Sequence, residues 1–189
     1  MSHNCRDEIP ESTLMAYWLG ETAAPESAAI EEHVFGCAGC SARLQKLVEL
    51  GAAIRRATID GAVHAVLSPS FVRQLQQDGL RVREYRMQPG TSVACTIAPE
   101  DDLVVSHLHA PFGDVRQVDV IFEDPETGSQ VRMRDVAFDT TAEEVVLVPS
   151  ARELRRLGVA TRRARLLAVQ DGAERELGSY TFNHSPHGA

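Results

Sequence analysis

No stretch of this 189-residue chain approaches the ~18 consecutive apolar residues that a membrane-spanning helix needs. Basic residues are too scarce for a phosphate-gripping face. Lys+Arg number 19 against 27 Asp+Glu, a formal net charge of −8, whereas proteins that hold nucleic-acid backbones present a basic surface. Four cysteines are too few for a disulfide scaffold at this length. The start, Met1-Ser2-His3-Asn4-Cys5-Arg6-Asp7-Glu8, lacks the charged-then-apolar layout of a secretory signal. Also missing are a nucleophile elbow, a phosphate-cradling glycine loop and an HExxH motif. The acids are scattered over turns and single out no acid–base couple. These absences lead to the expectation of a soluble, cytoplasmic protein that is not an enzyme and contacts neither membrane nor nucleic acid directly.

What is present is ordinary globular material, 43% hydrophobic and 24% charged residues, enough for one domain or two small ones. Its patterning changes along the chain. Leu14, Met15, Tyr17, Trp18 and Leu19 form a short apolar run stopped by Gly20, as a compact helix with a glycine end would be. Thr22-Ala23-Ala24-Pro25-Glu26-Ser27 reads as a helix start, with proline near the first position and an acid in the first turn. Ala29, Ile30, His33 and Val34 follow at helical spacing. A third helix is expected from about Cys40–Ser41 to Ala57, with Leu44, Leu47, Val48, Gly51, Ala52 and Ile54 as its apolar stripe, before Thr58-Ile59-Asp60-Gly61 breaks it. Ser68-Pro69-Ser70 opens a fourth, carrying Phe71, Val72 and Leu75 and ended by Gly79.

From about Arg81 the period shortens towards two. Val93, Cys95 and Ile97 share one strand face, so Cys95 is expected to be a small buried hydrophobe. Val118, Val120 and Phe122 alternate with polar neighbours, although Ile121 interrupts them, and Asp124-Pro125-Glu126-Thr127-Gly128 is a turn. Val131 and Met133 are out of phase with Val136 and Phe138, which predicts a bulge near Arg134-Asp135. Glu144–Val148 and Arg165–Gln170 read as strands, Ser150–Leu157 as a helical excursion, and Asp171-Gly172 as a hairpin turn before Leu177–Phe182. The resulting fold class is α+β: a small helical domain, residues 1–80, followed by an antiparallel β-sandwich or barrel, residues 81–189. Each part carries a net charge of −4.

One segment carries chemistry: Glu31-Glu32-His33-Val34-Phe35-Gly36-Cys37-Ala38-Gly39-Cys40. His33 and Cys37 are four apart, one turn along a helix face. Two small residues separate Cys37 from Cys40, so a tight turn brings both sulfurs to one tetrahedral ion. Cys40, near a helix N-terminus, is favoured as thiolate by the dipole. An imidazole and two thiolates form a soft donor set suited to Zn2+. The same cysteines also suit a reversible dithiol without metal, or plain packing, although no preceding strand of thioredoxin type is present.

His33-x-x-x-Cys37-x-x-Cys40, preceded by Leu14-Met15-Ala16-Tyr17-Trp18-Leu19-Gly20-Glu21 and by Glu31-Glu32, and followed by Ser41-Ala42-Arg43-Leu44, resembles the zinc-binding anti-sigma factor domain over about residues 5–57. The resemblance implies a helical domain that binds a sigma factor of the extracytoplasmic-function type and blocks its access to core RNA polymerase. It also implies a fourth ligand shortly before the first helix. Cys5 is the candidate, ahead of Glu8 and His3, because a thiolate outcompetes a carboxylate for zinc. Leu44 and Leu47 on the third helix and Phe71, Val72 and Leu75 on the fourth are the expected partner-binding residues. Two further readings stay open: a thiol redox switch at Cys37 and Cys40, and a zinc module for another protein partner. His107 and His109 are read as solvent-facing histidines at a strand end, and His184 and His187 as exposed tail residues.

Overall fold

A computed structural model describes residues 5, 8–59, 65–170 and 172–188; the readings that involve His3, Asp60, Gly61 and Asp171 lie outside the described residues. The chain divides into two compact units, Met1–Arg56 and Ala57–Ala189, which groups the fourth helix with the strands.

The first unit holds α1 (Glu11–Trp18), α2 (Ala24–Gly36) and α3 (Ala38–Ile59), the last running a few residues past the division. Gly20, at φ +70°, stops α1, with the Gly20 N–H donating to the Tyr17 carbonyl and the Glu21 N–H to that of Ala16. A residue with a Cβ would be strained there. Pro25 occupies the first turn of α2, where its missing N–H costs no helical bond. Leu14, Ile30 and Leu47, one from each helix, are buried together, with Ile9, Tyr17, Val34 and Leu44 packed round them. Gly51 sets a second contact. A Cβ added to it would run into ring atoms Cη2 and Cζ2 of Trp18, so glycine on α3 is what lets the indole lie against the helix backbone.

The second unit contains β1 (Ala65–Val66), α4 (Pro69–Gln77), β2 (Val82–Met87), β3 (Ser92–Cys95), β4 (Leu103–His109), β5 (Val118–Glu123), β6 (Gln130–Met133), β7 (Glu144–Val148), α5 (Ala151–Leu154), β8 (Ala160–Gln170) and β9 (Ala173–His184). Ser68 caps α4 by accepting the Phe71 N–H at 3.2 Å. One sheet runs β1-β7-β4-β2 and the other β3-β9-β8-β5-β6. Their inner faces share a core that includes Leu108, Val118, Val120, Val145, Leu166 and Tyr180. The arrangement is an open sandwich, with no closed barrel among the described residues. Tyr180, on β9, donates its O–H to the His109 carbonyl on β4 and so ties the two sheets.

The sandwich differs from the expected purely antiparallel one in that β2 pairs parallel with β4 and β3 parallel with β9. Parallel neighbours leave no local sequence signal, since their connection runs through other elements. The phase shift after Met133 is not a ladder bulge. β6 ends there, Asp135 turns the chain at φ +50°, and its N–H donates to Asp119 Oδ1 at 2.9 Å. Gln170 faces Ala173 across the β8–β9 hairpin, and Gly172 takes φ +79°. His184 is buried at 4% exposure, because β9 continues through it, whereas His187 is exposed. His107 is buried too, with Nδ1 3.0 Å from Glu144 Oε2; only His109 stays partly open.

Replacing Gly51 by leucine weighs two effects against each other. Helix propensity alone favours leucine by about 0.8 kcal/mol, whereas overpacking costs about 1–3 kcal/mol. Gly51→Leu is therefore expected to lower stability and to red-shift the fluorescence of Trp18, the single tryptophan, as the indole is pushed into water; denaturant titration followed by emission checks both.

Candidate metal centre

Cys37 is the residue on which the site turns. At φ −120°, ψ 102° it ends α2 in extended geometry, and α3 begins at the next residue. Its carbonyl accepts the Ser41 N–H at 3.0 Å, so it stands at the N-terminal end of α3, where backbone N–H groups lack helical partners. The backbone N–H of Cys40 bonds the Cys37 sulfur. That bond, aided by Cys5, His33 and Cys40, outweighs desolvation and lowers the Cys37 thiol to about 6. The helix-end stabilisation expected for Cys40 thus falls on Cys37, because the helix starts two residues earlier than its apolar pattern indicates. Ala38 and Gly39 leave room for the turn; a Cβ on Gly39 would stand 3.9 Å from Cys37 Sγ.

Three elements bring the donors together. His33 lies in the last turn of α2, Cys40 is buried in the first turn of α3, and Cys5 belongs to the segment before α1. The ligand atoms of Cys5, His33, Cys37 and Cys40 all lie within 4.8 Å of one another. Cys5 Sγ is 3.4 Å from His33 Nε2 and 3.9 Å from Cys40 Sγ. A tetrahedral ion with metal–sulfur and metal–nitrogen bonds of about 2.3 and 2.0–2.1 Å requires edges of ~3.8 Å between sulfurs and ~3.6 Å between sulfur and nitrogen. Donor chemistry, donor number and spacing therefore fit one tetrahedral ion.

Cys5 is held in reach by a residue that sequence reasoning missed. Arg43, on α3, donates from Nη1 to Glu8 Oε1 at 2.6 Å and to the Ile9 carbonyl at 2.9 Å. This fixes the approach to α1 and engages Glu8, the alternative ligand, in an ion pair. Its only signal was a basic residue beside the apolar stripe. Phe35 was also missed. It lies off the buried face of α2 and is 92% exposed, two residues before Cys37.

Of the expected partner-binding residues, Leu44 is half-buried against the helical core and Leu47 is buried in it. Phe71, Val72 and Leu75 are buried on α4. Cys95 is buried, and desolvation raises its thiol above the ordinary value.

Comparison with known proteins agrees with the site. Residues 11–41 match the family described as "Putative zinc-finger", a segment that contains His33, Cys37 and Cys40 but not Cys5. No curated protein matches the chain. Among solved structures, the N-terminal domain of phage TP901-1 ORF48 is similar at 11% identity and a TM-score of 0.36, over 56% of this chain and 99% of that one; at that score nothing is carried over from it. No helix among the described residues is long and apolar enough to cross a membrane.

Two outcomes are expected. In metal-free chain, alkylation of Cys37 by iodoacetamide rises with a midpoint near pH 6, the thiolate being the nucleophile, while Cys95 stays unreactive; peptide mass spectrometry resolves the two. Arg43→Ala, which frees the segment behind Cys5, weakens metal affinity by roughly 10–100-fold, as losses of supporting groups do; competition with a chromogenic chelator measures it.

Proposed function

We propose that this chain is a cytoplasmic anti-sigma protein that uses a zinc-stabilised helical unit to sequester a sigma factor of the extracytoplasmic-function type. The observation that carries the reading is the gathering of one imidazole and three thiol sulfurs within 4.8 Å, in a chain whose residues 11–41 match a zinc-finger family. Zinc is the ion suited to such a set, having no geometric demand beyond the tetrahedron and a preference for sulfur and nitrogen. His33, Cys5, Cys37 and Cys40 hold it, and its role is structural, since four protein donors leave no open position for catalysis. The proposed activity is accordingly binding rather than turnover.

Burial constrains how a partner is met. Leu47, Phe71, Val72 and Leu75 are covered in the free chain, so they reach a sigma factor only if the elements carrying them rearrange. Phe35, Leu50, Val48 and Met15 are exposed as they stand. Phe35 has the character of an interface anchor, an aromatic side chain that packs on nothing until a partner arrives.

A redox reading is favoured by one further observation: the lowered Cys37 thiol lies in the same cluster as Cys5 and Cys40. Peroxide oxidises the Cys37 thiolate to a sulfenic acid as its O–O bond breaks. A second thiolate displaces hydroxide from that sulfur, closing a disulfide and releasing the ion. Both roles fit one protein, with oxidation ending sequestration.

The decisive experiment is affinity capture of the tagged chain from its own cells beside a His33→Ala/Cys37→Ala double variant and Phe35→Ala. We expect stoichiometric zinc and a sigma factor with the parent, neither with the double variant, and zinc with roughly tenfold weaker capture for Phe35→Ala, the order of loss for an interface anchor. Zinc without any sigma factor would overturn the anti-sigma reading and keep the metal module.

A further inference from the structure

The β unit contains a partly open pocket of about 260 Å³. It lies between the inner faces of the two sheets under α5, lined by Tyr85, Ile97 and Val104 on one side and by Phe122, Leu147 and Phe182 on another. These groups belong to two separate buried clusters. Leu147, Phe122 and Phe182 are part of the main sandwich core, whereas Ile97, Val104 and Tyr85 pack with Ala151 and Leu154. The cavity keeps apart what would otherwise be one continuous core. Its walls are mainly apolar, with a few polar groups such as Ser106, Ser150 and His184 among them, the lining expected of a small-molecule site.

Three polar wall residues are deeply buried: Ser106, Ser150 and His184. His184 is 4% exposed, lines the cavity, and its Nε2 makes no hydrogen bond among the described residues. Its Nδ1 lies 3.8 Å from Cys95 Sγ. Burial raises the Cys95 thiol and lowers the imidazole, the latter opposed by the Leu154 backbone carbonyl, so the pair is a protonated thiol beside a neutral ring. Imidazole nitrogen is a far better acceptor than sulfur, so the S–H donates to Nδ1 and leaves the ring proton on Nε2. The Leu154 carbonyl approaches the ring without completing a hydrogen bond to Nε2; a buried N–H so poorly satisfied is costly, and an oxygen placed in the cavity lowers that cost. Arg162, the one cationic wall residue, already donates to the Thr161 carbonyl and pairs with Asp124 at 3.0 Å, and Glu153 also borders the space.

We propose that this cavity is a binding site for a small apolar molecule carrying one oxygen-acceptor head, a ketone or a carboxylate, with the head on His184 Nε2 and the body between the sheets. The size suits a ligand of roughly ten non-hydrogen atoms, below the drug-sized range. Such a ligand gives the β unit a role of its own, the sensing of a small metabolite-like molecule. The site stands on residues of the second unit alone and does not depend on the metal centre or on the partner.

The test is titration of the full-length zinc-loaded chain with 2-octanone and with octanoate, followed by NMR of the histidine rings and of labelled Val and Leu methyl groups. Saturable shifts are expected at His184, Val104 and Leu147 with at least one ligand. His184→Leu should weaken binding about tenfold, and Leu147→Phe, which fills the space without touching the head group, should abolish it. Circular dichroism checks that each variant folds, and either variant alone suffices if the other does not. Binding of 2-octanone identifies the neutral acceptor as sufficient; binding of octanoate alone assigns the head as anionic, with Arg162 beside it. No saturable shift with either ligand up to its solubility limit, or binding unaffected in the folded variants, would overturn the proposal.

Discussion

The helical unit depends on one crowded point, the junction at Cys37. That residue ends α2 immediately before α3, and the Cys40 backbone N–H that bonds its sulfur lowers its thiol to about 6. Among the described residues, three apolar side chains, Leu14, Ile30 and Leu47, are buried together in the core of this unit. A core so small leaves three helices and the segment before them only marginally stable against the entropy of ordering. A structural zinc site contributes on the order of 10 kcal/mol, which makes the proposed ion the main fastening of the unit. The rest of the geometry follows from serving it. Arg43 sets the approach of the N-terminal segment, and Gly51 lets α1 and α3 close on each other through Trp18.

The β unit is held by different means. Its strands β4 and β7 are buried almost throughout, and several of the buried charged groups are paired: Asp119 with Arg132, Asp101 with Arg83, His107 with Glu144. Each pair satisfies a group whose burial alone would be costly. Metal removal is therefore a disturbance of the first unit, while packing governs the second.

Much of this is legible in the sequence. Spacing alone places His33, Cys37 and Cys40 together, and Gly20, Pro25, Ser68 and Gly79 mark helix ends where the structure has them. The α+β order and the turn at Asp124–Gly128 are also local facts, written in residues that are neighbours in sequence. What was illegible is long-range. The parallel pairing of β3 with β9 joins Ser92 to Thr181, and no period in either strand announces it. The burial of His184 follows from that pairing, since Cys95 stands opposite it, so a histidine in a Pro/Gly-containing tail was read as exposed. Phe35, between His33 and Cys37, carries no sequence signal for its exposure, which its place on the helix decides. Cys5 was reached only through the resemblance, because a lone cysteine in a polar segment has no periodicity to argue from.

The same β3–β9 pairing has a consequence for the order in which the molecule is made. A strand at residues 92–95 must wait for its partner at residues 181–184, so the second sheet cannot close until nearly all of the second unit has left the ribosome. The four metal donors lie between Cys5 and Cys40 and are complete far earlier. During synthesis the first unit can thus gather its four donors, and with them its shape, while the second is still an open set of strands. A nascent chain in this state would be half finished in structure but already equipped with its donor cluster.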